Sequence, residues 1–302
     1  MSLLLAFLLA ALLFFVTITL VLFFIGPIML LQPKRRTAAF YRNLALPVSP
    51  EEINVPYEEI NIRTNDGLKL NSWLLKASAP AKGTILYLHG VGDCKIDGLR
   101  FAKLMHDHHF NVFLYDARRH GQSEGTYCTY GYDEKYDVLK IIDYLQSRTD
   151  MNPGKIGIFG TSMGAAVALQ AAALDARIAC VAAENPFATL RTIFDDYQKR
   201  IIKLPFHYLR NIVIVRSELM AKFKASDVSP LESVKSITVP ILIIYGTMDH
   251  LISYQYSIML YEEARAPKEL FPVENASHSN IWQIAGERYE STLTKFFERT
   301  LA

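Results

Sequence analysis

The chain has 302 residues, 51 % of them apolar and 21 % charged, with a formal net charge of +2. That suffices to bury one large α/β core or two small ones, and the near-neutral balance calls for no polyanionic or polycationic partner. Nucleic-acid binding is not expected, since the basic clusters are short (Lys34-Arg35-Arg36 and Arg118-Arg119-His120), and Cys94, Cys128 and Cys180 form neither a disulfide framework nor a zinc pattern.

Residues 3–25 carry no charge, and the first charged side chain is Lys34. About 20 apolar residues cross a bilayer core, so residues 1–33 are predicted to be a single transmembrane anchor. A cleaved signal peptide would have a basic n-region, a shorter apolar run and a clear small-residue cleavage site, which this segment lacks. A segment apolar all round is not a surface amphipathic helix. Gly26-Pro27 is expected to end or kink the span. Lys34, Arg35, Arg36 and Arg42 follow the span and no cation precedes it, so the positive-inside bias predicts a single-pass protein with a cytoplasmic C-terminal domain. Cysteine usage agrees.

Residues 34–54, with Pro47 and Pro50, read as a linker, and residues 55–302 as one domain. Val55 to Thr64 and Leu68 to Ala77 are strand-like runs around Asn65-Asp66-Gly67, a turn signal at hairpin spacing. Thr84 to Leu88 is a continuous apolar run of the kind buried in a parallel sheet. Strands at Phe110 to Tyr115, Lys155 to Phe159, Ile178 to Ala183, Ile241 to Tyr245 and Glu269 to Val273 alternate with helical patterns. The helices are expected at Tyr132 to Gln146, Met163 to Leu174 and Ile281 to Phe297. This alternation predicts an α/β fold with a mostly parallel central sheet and helices on both faces. About residues 187–236 the rhythm breaks, and a helical cap insertion is expected. Its apolar, cation-interrupted run 201–210 either packs on the main core or lines an acyl cleft or touches lipid.

The chemistry centres on Gly160-Thr161-Ser162-Met163-Gly164, where an apolar run ends and a small-residue helix begins. Strand, sharp turn and helix place a serine Oγ clear of the sheet, so Ser162 is the candidate nucleophile. The candidate base is His278, in a loop between the last strand and the closing helix. The candidate acid is Asp249, just past the strand ending at Tyr245, with Glu184 as the alternative acid. Among the other histidines, His250 is the rival base, although a neighbour of Asp249 does not easily fold back to be oriented by it; His89 is expected to be structural, His207 lies in the cap, and His106, His108 and His109 are expected to be solvated. Asp116 and Asp137 read as loop and helix-surface groups, and Arg118 and Arg119 as solvated cations, with binding of a substrate anion as the alternative. Oxyanion donors are expected from the Met163 N–H and from the His89-Gly90-Val91-Gly92 loop, with Val91 as the donor.

These motifs, with Tyr115-Asp116-Ala117-Arg118-Arg119-His120-Gly121-Gln122-Ser123-Glu124-Gly125 and Pro240 to Asp249, resemble the α/β-hydrolases over roughly residues 55–300. The resemblance is to the serine-hydrolase branch that includes the Bem46-like and monoacylglycerol-lipase-like proteins. It implies hydrolysis of an ester, thioester or amide through an acyl-enzyme, with no metal and no cofactor. Two departures stand out: Arg119 occupies a position that is often Gly, and Asp93 follows the expected oxyanion loop, where it is expected to point away.

The expected function is a membrane-anchored serine hydrolase cleaving an acyl ester, with a lipid-like or other apolar acyl group as substrate and no nucleic-acid partner. A thioesterase or peptidase using the same triad is the alternative chemistry. A catalytically silent, membrane-tethered scaffold is the alternative class.

Overall fold

A hairpin of mixed polarity followed by largely apolar runs builds an eight-stranded sheet in the computed structural model, which describes residues 2–78, 80–151, 153–198 and 207–301. The strands are β1 (Tyr57–Arg63), β2 (Lys69–Leu75), β3 (Thr84–Leu88), β4 (Asn111–Tyr115), β5 (Ile156–Thr161), β6 (Ile178–Glu184), β7 (Ile241–Gly246) and β8 (Lys268–Val273). Their spatial order is β1-β2-β4-β3-β5-β6-β7-β8. The β1–β2 hairpin turns at Asn65-Asp66-Gly67, with Gly67 at φ 85°. β2 also runs antiparallel to β4, and every later neighbour is parallel. β3 and β4 are buried at every position, as strands covered on both faces must be.

The helices are α1 (Leu3–Leu31), α2 (Ala38–Asn43), α3 (Leu99–Asp107), α4 (Glu134–Ser147), α5 (Met163–Ala172), α6 (Leu190–Asp196), α7 (His207–Ala221), α8 (Pro230–Ser233), α9 (Tyr254–Glu263), α10 (Ile281–Ala285) and α11 (Glu287–Leu301). On one face of the sheet, Ile141, Ile142 and Leu145 of α4 pack with Ala165, Val167 and Leu169 of α5. On the other, Leu99, Phe101 and Met105 of α3 pack with Phe296 and Phe297 of α11. All three cysteines are buried free thiols, with Cys180 on β6 in the second core.

Three expectations change. First, α1 runs through Gly26-Pro27 to Leu31. Its last turns are held by packing: Pro27 and Leu31 are buried, and a Cβ on Gly26 would stand 2.7 Å from Val213 of α7. A docked surface thus overrides a local helix breaker. Second, residues 34–54 are no open linker. They contain α2 and a 3₁₀ turn (Pro50–Ile53), and Tyr41 and Val48 bury with Cys94 in a small satellite core. Third, the closing helix is two, α10 and α11, broken at Gly286, whose φ of +51° a continuous helix cannot contain. The expected insertion is helical: its described residues form α6, α7, a 3₁₀ turn (Ala225–Asp227) and α8. Residues 201–206 of its cation-interrupted run lie outside the described residues.

Candidate active site

β5 ends at Thr161, and α5 starts at Met163. Ser162 between them has φ 54° and ψ −115°, a conformation that costs a non-glycine residue about 1–3 kcal/mol. The flanking glycines make the turn possible. A Cβ on Gly160 would lie 2.3 Å from the Gly164 carbonyl oxygen, and one on Gly164 would lie 2.1 Å from that of Leu88. The Ser162 N–H donates to the Glu184 carbonyl at 2.8 Å, which ties the turn to β6.

The loops after β7 and β8 bring the other two groups in. Asp249 is 5 % exposed, and its Oδ1 accepts the N–H groups of Leu251 at 2.8 Å and Ile252 at 2.9 Å. Its Oδ2 lies 2.6 Å from His278 Nδ1, and His278 Nε2 lies 3.0 Å from Ser162 Oγ. An ionised carboxylate only accepts, so the proton is assigned to Nδ1, leaving Nε2 free to accept from the serine hydroxyl. The three side chains expected to act together form one hydrogen-bonded line.

Glu184 is near but not in that line. Its Oε2 accepts from the Tyr289 hydroxyl, and burial pushes its carboxyl up to about 7. His250 is exposed.

Met163 opens α5, whose first-turn N–H groups lack intrahelical acceptors. The other expected donor, Val91, is the second residue of a four-residue turn, closed by the Asp93 N–H donating to the Gly90 carbonyl at 3.2 Å. Gly92, at the third position with φ +80°, supplies the backbone such a turn needs. A Cβ on Gly90 would lie 3.5 Å from Ser162 Cβ, so the turn lies directly against the serine. Asp93 accepts at Oδ1 from Arg36 and from the Tyr41 hydroxyl.

His89 is structural, as expected. Its Nε2 accepts the Ala117 N–H at 3.0 Å, which leaves Nδ1 as the protonated nitrogen, 2.8 Å from the Gly90 carbonyl. Burial holds its pKa below the ordinary value. Arg119 takes φ 66°, so the left-handed backbone is kept without glycine.

Several groups expected at the surface are not there. Arg118 is buried. Its Nε and Nη2 reach Asp137 at 2.7 Å each, and its Nη1 reaches Asp66 and Asp133 at 3.2 Å. Asp137 is therefore the buried partner of Arg118 rather than a helix-surface group. Asp116 is fully buried, accepting from the Lys95 backbone N–H, Lys95 Nζ and the Gln122 N–H. His106 is buried on α3 rather than solvated. One residue of the site escaped the sequence reading altogether. Asn185 has φ 48° and is 3 % exposed, and it bonds both Gly246 and His278. The Asn-Pro pair at the end of β6 is a turn signal that marks it. Among the described residues no group of three or more His, Cys, Asp or Glu is placed to hold a metal ion.

Residues 119–302 match the prolyl oligopeptidase family. The uncharacterized protein YqkD of Bacillus subtilis is 34 % identical over 71 % of each chain. Protein bem46 of Schizosaccharomyces pombe is 27 % identical over 74 % of this chain and 71 % of its own. Among solved structures, the Pyrococcus furiosus esterase Pf2001 superposes with a TM-score of 0.73 at 25 % identity, covering 90 % of this chain and 99 % of the esterase.

Proposed function

The chain belongs to the prolyl oligopeptidase family and has the α/β-hydrolase fold, and from that premise we propose that it is a membrane-anchored serine hydrolase that cleaves acyl esters. The observation that carries the reading is the hydrogen-bonded line Ser162–His278–Asp249, with the serine in a strained turn at the strand ends. In this scheme His278 Nε2 takes the hydroxyl proton as Ser162 Oγ attacks the acyl carbon. The Met163 and Val91 N–H groups stabilise the oxyanion. His278 then returns the proton to the departing alkoxide, leaving an acyl-serine, and water repeats the sequence to release the acid. Asp249 keeps the imidazole oriented and stabilises its cation. Every step uses side chains and backbone N–H groups of this chain.

An ester is favoured over an amide because the esterase Pf2001 matches over almost its whole length. A lipid-like acyl group is favoured because a membrane-spanning α1 would hold the site beside a bilayer. The family's peptidase name supports amide hydrolysis as the second reading.

The anchor reading draws on α1 itself. It is 29 residues long, uncharged and exposed along its most apolar stretch. A signal sequence also passes that test, but its removal would strip Pro27 and Leu31 from buried positions in the domain. The cations after α1 favour a cytoplasmic domain, and protease protection of intact membranes checks it: digestion of the domain from the outside overturns it.

The test of activity is turnover of short and long p-nitrophenyl esters by the wild type and by Ser162→Ala. The expected loss in kcat is several orders of magnitude. No hydrolysis by the wild type, or equal turnover by both, sinks the proposal. Failure of a fluorophosphonate probe to label Ser162 favours a silent scaffold.

A further inference from the structure

The end of α1 and the segment after it reach both sides of the nucleophile. On one side, the Arg36 N–H donates to the Gly92 carbonyl at 2.9 Å. The Arg36 guanidinium pairs with Asp93, and the Tyr41 hydroxyl donates to the same Asp93 oxygen at 2.9 Å. Both acceptors belong to the Gly90–Asp93 turn that carries Val91. On the other side, the Leu31 carbonyl accepts the Cys128 N–H at 2.8 Å, and the Leu30 carbonyl accepts the Tyr130 hydroxyl at 2.7 Å. Cys128 Sγ in turn lies 3.4 Å from Met163 Sδ. Arg35 Nη1 donates to the carbonyls of Gly121 at 3.2 Å and Ser123 at 3.1 Å, which fastens the segment between these contacts.

A turn with glycine at two of its four positions has little intrinsic rigidity. An oxyanion donor earns its effect by being in place before charge develops, so such a turn needs external support. It also carries a liability: Asp93 Oδ2 would lie 3.5 Å from a Cβ on Gly90, on the turn packed against Ser162. An unneutralised carboxylate there opposes an anionic transition state. Arg36 answers both needs, through its backbone N–H on Gly92 and its charge on Asp93.

We infer that residues 30–41 are a strap that positions the Gly90–Asp93 turn and screens Asp93, so that the membrane helix ends inside the catalytic apparatus and is more than a tether. Arg36 and Tyr41 are its positioning residues. The inference rests on the serine-hydrolase reading for its catalytic half. Its structural half stands on the contacts alone.

The test uses the full chain in detergent micelles, comparing the wild type with Arg36→Ala, Arg36→Lys and Tyr41→Phe, and with Lys140→Ala as a distant surface control. The readouts are kcat and KM on a p-nitrophenyl ester, the thermal midpoint, and amide hydrogen exchange at residues 90–93. Arg36→Ala is expected to lower kcat about 10- to 100-fold with KM within about twofold, and to speed exchange in the turn about tenfold or more. Arg36→Lys restores part of kcat by returning the charge, and Lys140→Ala changes nothing. Should Arg36→Ala fail to fold, Tyr41→Phe removes only the hydroxyl, which donates to Asp93 and accepts weakly from the Cys94 thiol, and is expected to show the same pattern at smaller size. Unchanged kcat, or a loss carried by KM alone, overturns the inference. A wild type without esterase activity defeats the serine-hydrolase reading instead. Exchange then still decides the strap: unchanged exchange at 90–93 overturns it, and faster exchange supports it.

Discussion

Asn185 donates from Nδ2 to the carbonyl oxygen of His278 at 3.1 Å, while its Oδ1 accepts the Gly246 N–H at 3.2 Å. One side chain at the end of β6 thus joins the end of β7, which leads to Asp249, to the loop that carries His278. Its own N–H donates to Ile244 at 2.8 Å, so the bridge is anchored in the sheet. The left-handed φ of 48° is one that asparagine adopts more readily than most residues.

Asn185→Leu therefore leaves a buried N–H and a carbonyl without partners. Each unsatisfied group costs about 1–3 kcal/mol. The His278 loop loses its tie to the sheet, and a misplacement of about 1 Å in a catalytic group lowers rate on the order of 100-fold. The expected outcome is a fall of that size in kcat, with a lower urea midpoint. A variant that keeps wild-type kcat shows that His278 is positioned without Asn185.

The two candidate acids separate by activity. Asp249 Oδ2 bonds His278 Nδ1, whereas Glu184 bonds Tyr289. Asp249→Asn offers an amide in place of the carboxylate and favours the wrong tautomer, for which a loss of about 10⁴ in kcat is expected. Glu184→Gln should cost less than about tenfold. The reverse order in steady-state kinetics reassigns the acid.

Glu184 shows itself instead in stability against pH. Burial raises its folded-state value to about 7, from an ordinary 4.5. Between those values the unfolded chain has released the proton and the folded chain retains it. Stability from this group is full below about 4.5 and is lost as pH rises toward 7. Glu184→Gln removes that slope. Its stability relative to wild type should rise by about 1–2 kcal/mol from pH 4.5 to 7, a figure discounted for the partial exposure of the side chain, and then level off. Thermal midpoints of both proteins across that range check it, and a gap that narrows with pH contradicts it.

The sheet was legible in the sequence because its central strands are continuous apolar runs, and β3 starts and ends where its run does. The alignment of Ser162, His278 and Asp249 was legible because each follows a strand end, where parallel strands gather their loops. The misread residues are those whose environment is supplied by distant chain. Nothing near Arg118 announces that Asp66, Asp133 and Asp137 will enclose it. Pro27 breaks helices locally, and only the surface of α7 keeps α1 intact around it. α9 mixes polar and apolar residues too closely for a helical period to stand out, and α3, which does carry one with Leu99, Ala102 and Met105 buried on one face, is only nine residues long.

Arg118 accordingly belongs to the frame of the site and not to substrate recognition. Arg118→Ala leaves Asp137 buried beside an empty cavity, and breaking a buried pair from one side costs about 3–5 kcal/mol. Chemical denaturation should show a loss of that order, with KM for neutral and anionic esters shifted equally or not at all. A selective rise in KM for anionic esters at unchanged stability would restore a substrate-binding role.

The final prediction concerns where α1 stops being dispensable. None of residues 2–22 is buried, so they contribute little to the folding of the domain. Leu31 is 0 % exposed within the main core, and the Leu30 and Leu31 carbonyls satisfy Tyr130 and Cys128. Deleting residues 2–22 should leave the unfolding free energy within about 0.5 kcal/mol of wild type, as for changes remote from packed features. Extending the deletion to residue 33 removes Leu31 and two hydrogen-bond acceptors. Leu31→Ala alone is expected to cost about 2–5 kcal/mol, so the longer deletion should cost at least that much. Urea titrations of the three proteins in one detergent give the comparison. If the longer deletion is as stable as the shorter, the docked end of α1 is not part of the core, and cleavage after the apolar run becomes compatible with a folded domain. If stability is lost only between residues 22 and 33, the helix must be retained for the domain to persist, and the end of α1 and the domain are one folding unit.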